Sequence, residues 1–398
     1  MNEESIVYWA PPIEFVALKN TKSNMISNNL IKTRLILEKI LDNIKPGDKV
    51  GVKVHVGEAY NTRYLRHDYV HEVVDFITQL GAHPTLIETQ GLGMRVQHIK
   101  MSDEHVIRLG LRKTGEEHRK IAHLHGYNES IIGAPLKFID GEKGIDREIV
   151  SISGLQLNEV SVAAGLLEFD KIVVISHFKG HGAAGFGGAL KQLGIGCVTK
   201  TNKFRAHFDK LEVTKNCDPS KCGSECIEAC PINAIKIEDG KAIINREICL
   251  ECTACMEKCK TKRAISSKWI LFDSFAERFI DNALGVVTSI GPENFRYINF
   301  AFDITLNCDC VSNPSTPIVP DLGIYGSKDP VAIDKACIDA EINAPGVPMM
   351  NDKGNWKEPI KSGVDKFSAL LPTSNYKWQI DAAVKNRLGT TNYKLIKI

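Results

Sequence analysis

"KIVVISHFKGHGAAGFGGALKQLGIG" (Lys171–Gly196) is the stretch on which the fold turns. It opens on a continuous apolar run, Ile172 to Ile175, of the kind a central strand of a parallel sheet needs. Seven glycines follow between Lys179 and Gly196, on a loop that leaves this strand and enters a helix. Upstream, "KVGVKVHV" (Lys49–Val56) alternates with period two and reads as a strand. "DYVHEVVDFITQLGA" reads as an amphipathic helix opened by Asp68 and closed by Gly81, and "HPTLIET" as the next short strand. Strand, helix and strand at this spacing form a βαβ unit and predict a mostly parallel sheet.

Further out, Leu30, Ile31, Leu35, Leu37, Ile40 and Leu41 give a helical stripe that Pro46-Gly47 stops. From His98 to His125 the chain is polar, helical in rhythm and rich in histidine. "DSFAERFIDNALGVV" reads as a capped helix and "YINFAFDIT" as a strand. "DPVAIDKACIDAEIN" has Asp329 placed to cap a helix that begins at Pro330. The expected class is α/β, mostly parallel sheets with flanking helices. The body spans 1–211 and 267–398, with a site loop at 177–196, and a cysteine-rich insert occupies 212–266.

Composition narrows the function. A chain of 398 residues, 43% hydrophobic and 25% charged, has the balance of a soluble globular protein. A formal charge of +2 leaves no basic footprint for nucleic acid. No apolar run is long enough for a bilayer. "MNEESIVYWAPPIEF" has no basic region leading into an apolar one, so the cytoplasm is the expected compartment. Of twelve cysteines, eight fall between Cys217 and Cys259 and none precedes Cys197. Disulfides would staple the whole chain, whereas a local cluster collects metal.

Cys249, Cys252, Cys255 and Cys259 have the C-x2-C-x2-C-x3-C spacing of bacterial ferredoxins. Cys217, Cys222, Cys226 and Cys230, spaced x4, x3, x3, precede them, and "AIKIEDGKAIINREI" between the runs reads as a hairpin on Asp239-Gly240. In this layout the fourth cysteine of each run ligates the other cluster. Cys217, Cys222, Cys226 and Cys259 are thus expected to hold one 4Fe–4S cluster, and Cys249, Cys252, Cys255 and Cys230 the second. Two zinc knuckles are the bland alternative, but three close thiolates plus a remote fourth suit a cubane better than two C-x2-C pairs. Lys258, Lys260, Lys262 and Arg263 beside the last cysteine either dock an acidic electron donor or form a solvated face.

The glycine-rich loop admits several readings. It is no P-loop, because Lys191 follows Leu190 and precedes Gln192. Gly180-x-Gly182-x-x-Gly185 matches a dinucleotide fingerprint, yet Ser176–Lys179 intervene where the turn should be immediate. A tight turn needing small residues is the plain alternative. A fourth reading is a ligand site: His177, His181, Lys191 and His207 lie within thirty-one residues, with glycines that let the backbone approach a ligand. A lysine in the first turn of the next helix would sit in that helix's positive field, which favours its acting as base or nucleophile. Three lesser candidates remain. Cys308, Asp309 and Cys310 at a strand end could bind metal, face substrate or simply pack. Cys197 could be a redox thiol. His118, His123 and His125 read as a solvated polar helix, and His55 as a site lining.

"HFKGHGAAGFGGALKQLGIGC", the ferredoxin-like insert, "LNCDC" and "DLGIYGSKDPVAIDKACIDAE" together resemble the iron–sulfur proteins of domain-of-unknown-function family 362, over about Val50 to Glu341. More distantly, the loop is similar to the nickel-pincer enzymes of the lactate racemase family. That resemblance implies a catalytic histidine at His181, a lysine bearing a nucleotide-derived pincer at Lys191 and a metal-ligating histidine at His207. It places Gly182, Gly185, Gly187 and Gly188 at the cofactor and gives Thr62 and Arg63 ribose and phosphate contacts. The turn that carries a second catalytic histidine in that family reads "TQGLGMR" here, without histidine.

The expectation is an iron–sulfur oxidoreductase. Two 4Fe–4S clusters would take electrons from a soluble donor such as a ferredoxin or flavodoxin. They would pass them to a small anionic substrate or bound cofactor beside His177, His181, Lys191 and His207, with room for a further metal or nucleotide-derived cofactor at Lys191 and His207. Neither nucleic acid nor membrane is an expected partner. The alternatives are a pincer-type racemase or epimerase with structural clusters, and an electron carrier or metallochaperone with no substrate of its own.

Overall fold

A computed structural model describes residues 4–12, 28–92, 97–100, 102, 106–259, 261 and 264–398, with backbone alone for 97–100 and 106–109. Its centre is an eight-stranded sheet built from β1 (Ser5–Ala10), β2 (Lys49–Lys53), β3 (His83–Glu88), β4 (Leu136–Phe138), β5 (Lys171–His177), β6 (Phe295–Ala301), β7 (Gly323–Ser327) and β8 (Tyr393–Lys397). The spatial order is β8-β1-β7-β6-β5-β2-β3-β4, and β7 alone runs antiparallel to its neighbours. The fold is thus mixed α/β with a mostly parallel sheet, as the βαβ reading requires.

Strand alternation explains the layers. Ile172 and Val174 face one side with Phe295 and Tyr297, while Val173 and Ile175 face the other with Ile298 and Phe300. The second side is covered by α1 (Asn29–Ile40) and α2 (His67–Gln79), through Ile36, Leu37, Val70 and Val73. The first is covered by α3 (Ala189–Gly194), α4 (Lys200–His207), α5 (Phe272–Ile290) and α6 (Pro330–Asn343), which bring Leu190, Ala206, Phe279 and Ile333. Each large apolar side chain so buried contributes roughly 1.5–3 kcal/mol.

The topology also locates a crevice. From β2 the sheet grows through β3 to β4 on one side, and β5 then pairs with β2 on the other. Loops leaving the carboxyl ends of β2 and β5 therefore diverge, which is where open α/β sheets bind ligands.

Some local expectations are corrected. Residues 98–125 are not helical throughout: Gln97–Lys100 and Val106–Leu109 pair as a hairpin, and the helix covers only Gly115–Leu124. Gly110, at φ +75°, separates the hairpin from the helix. Asp68 lies in the first turn of α2 rather than at its cap, which is Arg66. No side chain caps α5. Asp329 does cap α6, accepting from Val331 and Ala332 at 2.8 and 2.9 Å. Strand β1, "SIVYWA", lies in the unpatterned start of the chain.

The cysteine-rich segment leaves and rejoins the body through a short ladder, Glu212 opposite Ser266 and Val213 opposite Ile265. Within it, Ile235–Glu238 and Lys241–Ile244 form the expected hairpin, turning on Asp239 at φ +47° and Gly240 at φ +70°. Among the described residues, no helix is long and apolar enough to cross a membrane.

Candidate functional site

A cavity of about 280 Å³ fills the crevice between β2 and β5. The loops after β2, β3 and β5, the end of α4 and the turn at Cys308–Val311 wall it in. His177, His181, Lys191 and His207 all line it, together with Gly187 and Gly188.

The four differ chemically. His177, the last residue of β5, is buried, with Nδ1 at 2.9 Å from Asp309 Oδ1 and Nε2 at 2.8 Å from the Phe302 carbonyl. A carboxylate and a carbonyl thus engage both ring nitrogens. Lys179 Nζ stands 3.1 Å from the same carboxylate. Burial would raise the Asp309 carboxyl, but His177 and Lys179 hold it well below the ordinary carboxylate range. His177 thus positions Asp309, with both ring nitrogens engaged by the protein.

His207, at the end of α4, donates from Nδ1 to the Lys203 carbonyl at 2.7 Å, which leaves the Nε2 lone pair. Burial pushes its pKa down to about 4, so it is neutral near pH 7. This pairing, one ring N–H fixed on a carbonyl, suits a proton acceptor or a metal ligand. In His181 the relation is reversed: Nδ1 accepts from the backbone of Ala183 and Ala184 at 3.2 and 3.0 Å. Its Nε2 therefore carries hydrogen and faces Cys310 Sγ at 3.8 Å. Burial, with Lys191 adding to it, pushes His181 to about 3. Lys191 Nζ lies 3.9 Å from Cys308 Sγ.

The glycines serve packing. A Cβ on Gly188 would meet Asp334 Oδ1 at 2.3 Å, one on Gly180 the Leu306 carbonyl at 2.4 Å, and one on Gly194 the Phe279 carbonyl at 2.0 Å. Gly185, at φ +87°, abuts the Asn375–Tyr376 backbone. Asp334 reaches across this gap to accept from Ala189 and Leu190 at 2.8 and 2.9 Å. The first N–H groups of the six-residue α3 are thereby taken up by a carboxylate.

Both cysteine quartets assemble. Cys217, Cys222, Cys226 and Cys259 line one small pocket, and Cys230, Cys249, Cys252 and Cys255 another. Among the described residues, no three ligand atoms of either quartet lie mutually within 4.8 Å, the separation that singles out only His181, Cys308 and Cys310. Backbone N–H groups of Ala234 and Ala242 point at Cys230 and Cys217 Sγ, at 3.1 and 3.3 Å. Burial and the neighbouring thiols push Cys255 up to about 12, so this pocket favours thiolates only when a cation shares them.

A family model described as a domain of unknown function (DUF362) matches residues 50–339. The chain belongs to that family. The matched span takes in the cavity and both quartets of this DUF362 protein. An uncharacterised protein from the rpl9–rpl11 intergenic region of Porphyra purpurea is 36% identical over 52 residues, which are 11% of this chain and 69% of that one. Two solved structures are distantly similar. A structural-genomics crystal structure from Thermotoga maritima has TM-score 0.33 and 13% identity, and the match covers 68% of this chain and 50% of that one. This DUF362 chain therefore spans half the length of the Thermotoga protein. The lactate racemase apoprotein of Thermoanaerobacterium thermosaccharolyticum has TM-score 0.37 and 10% identity, with 99% and 83% covered.

Other residues singled out in the sequence of this DUF362 protein fall elsewhere. Thr62, Arg63, Gly182 and Gly185 do not line the cavity. Arg63 pairs with Asp303 at 2.6 Å, both partly exposed. His118 is fully buried, bonded to Gln90 at 3.1 Å, and so is not solvated; His125 stacks on Tyr64 and His123 is exposed. Lys260, Lys262, Arg263 and the Gly93–Arg95 end of "TQGLGMR" lie outside the described residues. Sequence reasoning underrated His55, whose Nδ1 donates to Glu88 at 3.1 Å while its buried Nε2 has no partner. It missed Glu88, anchored by Lys53 at 2.8 Å, and Lys203, whose burial lowers it to about 8. The period-two strand ending at His55 carried the only signal.

Proposed function

We propose that this DUF362 protein is an iron–sulfur oxidoreductase acting on a small anionic substrate or bound cofactor in the cavity. One observation carries the reading: α4 serves both regions at once. Phe204 packs with Cys226 and Cys255 in the apolar core of residues 212–266, while Lys203 and His207 on the same helix line the cavity. Cysteine pockets and cavity thus border the same helix. Clusters held by the two quartets would supply single electrons. The chain's own groups do the rest. Lys191 and Lys203 attract an anion into the cavity. His207 and His55 each offer a free Nε2 to a proton, and Glu88 fixes the tautomer of His55. In this reading residues 212–266 are a two-cluster insert in a body of 1–211 and 267–398, working in the cytoplasm with a soluble donor such as a ferredoxin or flavodoxin.

The test is anaerobic reconstitution with iron and sulfide. The parent should take up iron for two clusters and Cys255→Ser for one. Reduced parent should be reoxidised by a panel of small anionic acceptors, and Lys191→Ala should slow this at least about tenfold. Zinc in place of iron, or an unaltered rate in Lys191→Ala, would overturn the reading.

Proton transfer without redox is a second reading, favoured by one observation: His55, just past β2, and His207, at the end of α4, both present unprotonated Nε2 atoms near neutrality. A racemase or epimerase needs such a pair. A nucleotide adduct on Lys191 in the intact mass would select it. A bare electron carrier is disfavoured, because charged groups line the cavity where a carrier would be packed with apolar side chains.

A further inference from the structure

We propose that Cys308 and Cys310 form a dithiol/disulfide couple that exchanges an electron pair with whatever occupies the cavity. Both sulfurs lie on the cavity wall, within 4.8 Å of each other and of a His181 ring nitrogen. The backbone is already bent for the bond. Val311 N–H donates to the Cys308 carbonyl at 3.1 Å, which closes a turn with Asp309 and Cys310 at its centre. Such a bend shortens the Cα–Cα span of a C-x-C pair toward the range a disulfide tolerates. Asp309 is clamped from the other side by His177 and Lys179, so the turn is held rigidly.

The same three donor atoms invite a metal, but their surroundings oppose one. His181 Nδ1 accepts two backbone N–H groups, so Nε2 carries a hydrogen where a metal would need its lone pair. The Lys191 ammonium stands 3.9 Å from Cys308, where it would repel a cation. Both features suit sulfur that carries its own negative charge. A hydrogen bond from Cys310, with Lys191 and Lys179 beside it, draws the Cys308 thiol well down, while that bond and burial hold the Cys310 proton in place. The pair thus shares one proton, with a nucleophilic thiolate at Cys308.

The step balances. Reduction breaks the Cys308–Cys310 sulfur–sulfur bond with two electrons, delivered singly by an iron–sulfur donor, and one proton from solvent. The products are the Cys308 thiolate and the Cys310 thiol. Reoxidation reforms the sulfur–sulfur bond and gives both electrons and the Cys310 proton to a small anionic two-electron acceptor in the cavity. The couple would convert one-electron supply into two-electron chemistry. Its use rests on the oxidoreductase reading above, but its existence does not.

The full chain, kept anaerobic, is equilibrated in dithiothreitol buffers of graded oxidation, quenched with iodoacetamide and digested. Alkylation of Cys308 and Cys310 is then read by mass spectrometry, with the visible absorption of the clusters recorded in the same samples. The expected result is joint protection of both cysteines on oxidation, with a two-electron slope and the loss of two hydrogens in mass. Cys308→Ser leaves Cys310 alkylatable throughout, and Cys310→Ser does the same for Cys308. Lys191→Ala slows alkylation of Cys308 near neutral pH about tenfold. Two results overturn the couple: cysteines that alkylate equally in every buffer, or stoichiometric metal lost from either serine variant with no disulfide in the parent. Interconverting thiols without cluster absorption would sink the oxidoreductase reading alone. Cluster absorption with inert thiols would sink the couple alone.

Discussion

The glycines of residues 180–196 and the cysteines of residues 217–259 are both repeats of one residue type in a short segment, yet they encode different kinds of information. Cysteines act on one another. Their spacing along the chain already implies partners, and each pocket gathers the four that the spacing named. A glycine records only that something comes close. In this loop that something is the protein itself: Asp334, the Leu306 carbonyl, the Phe279 carbonyl and the Asn375 backbone, all far away in sequence. Local self-reference is legible in a sequence, and long-range complementarity is not.

The sharpest way to break this contrast is to add one methyl group at two glycines of the loop. Gly188→Ala places a carbon where Asp334 Oδ1 stands, 2.3 Å away. It should push that carboxylate off the Ala189 and Leu190 N–H groups and cost about 3–4 kcal/mol in denaturant unfolding. At Gly182 the nearest atom is Leu371 Cδ2 at 3.5 Å, an ordinary contact, so Gly182→Ala should stay within about 0.5 kcal/mol. If instead Gly182→Ala abolished binding of anionic ligands at unchanged stability, the loop would be a ligand cradle after all.

The same distinction explains what else could be read in advance. The parallel core of the sheet was legible because β2 alternates, β5 is a continuous apolar run and β3 follows an amphipathic helix, and Asp329 announced α6 because capping is local. β7 was not, since "GIYGS" has no alternation and is specified only by pairing with β1 and β6. At the cavity, four residues near one loop were found from their types, but their roles were not. Whether His177 is a base or an anchor depends on Phe302 and Asp309, more than a hundred residues away. His55 and Glu88 belong to the site only because β2 pairs with both β3 and β5, so that the ends of all three strands open on one crevice.

Acid should sharpen the contrast between anchoring and acting histidines. His181 and His207 are held unprotonated when folded, to about pH 3 and 4, while an unfolded histidine takes a proton near 6.5. Their depressed folded values mean that the unfolded chain binds more protons between pH 6.5 and 4. Stability is then fully present above 6.5 and is lost as pH falls through that window, by about 1.4 kcal/mol per pH unit for each residue. His207→Gln should remove roughly half of this slope in unfolding measured at several pH values. A slope unchanged by His207→Gln would mean that this ring is already charged in the folded protein.

The smallest effect is expected at Arg63, where the racemase-type likeness asks for a phosphate contact and the structure offers an exposed ion pair. Arg63 and Asp303 meet at 2.6 Å with 38% and 43% of their side chains exposed, and such pairs contribute under about 1 kcal/mol. The loop that carries Arg63 is held to the cavity by other groups: Asn61 Nδ2 on the Val311 carbonyl at 2.8 Å, and Glu58 N–H on the Asp309 carbonyl at 2.8 Å. Arg63→Ala should therefore leave both stability and the Lys191-dependent reoxidation within about twofold of the parent. A tenfold loss confined to phosphate-bearing acceptors would show that the guanidinium abandons Asp303 and swings to the ligand, and the nucleotide reading of this loop would then outrank the packing one.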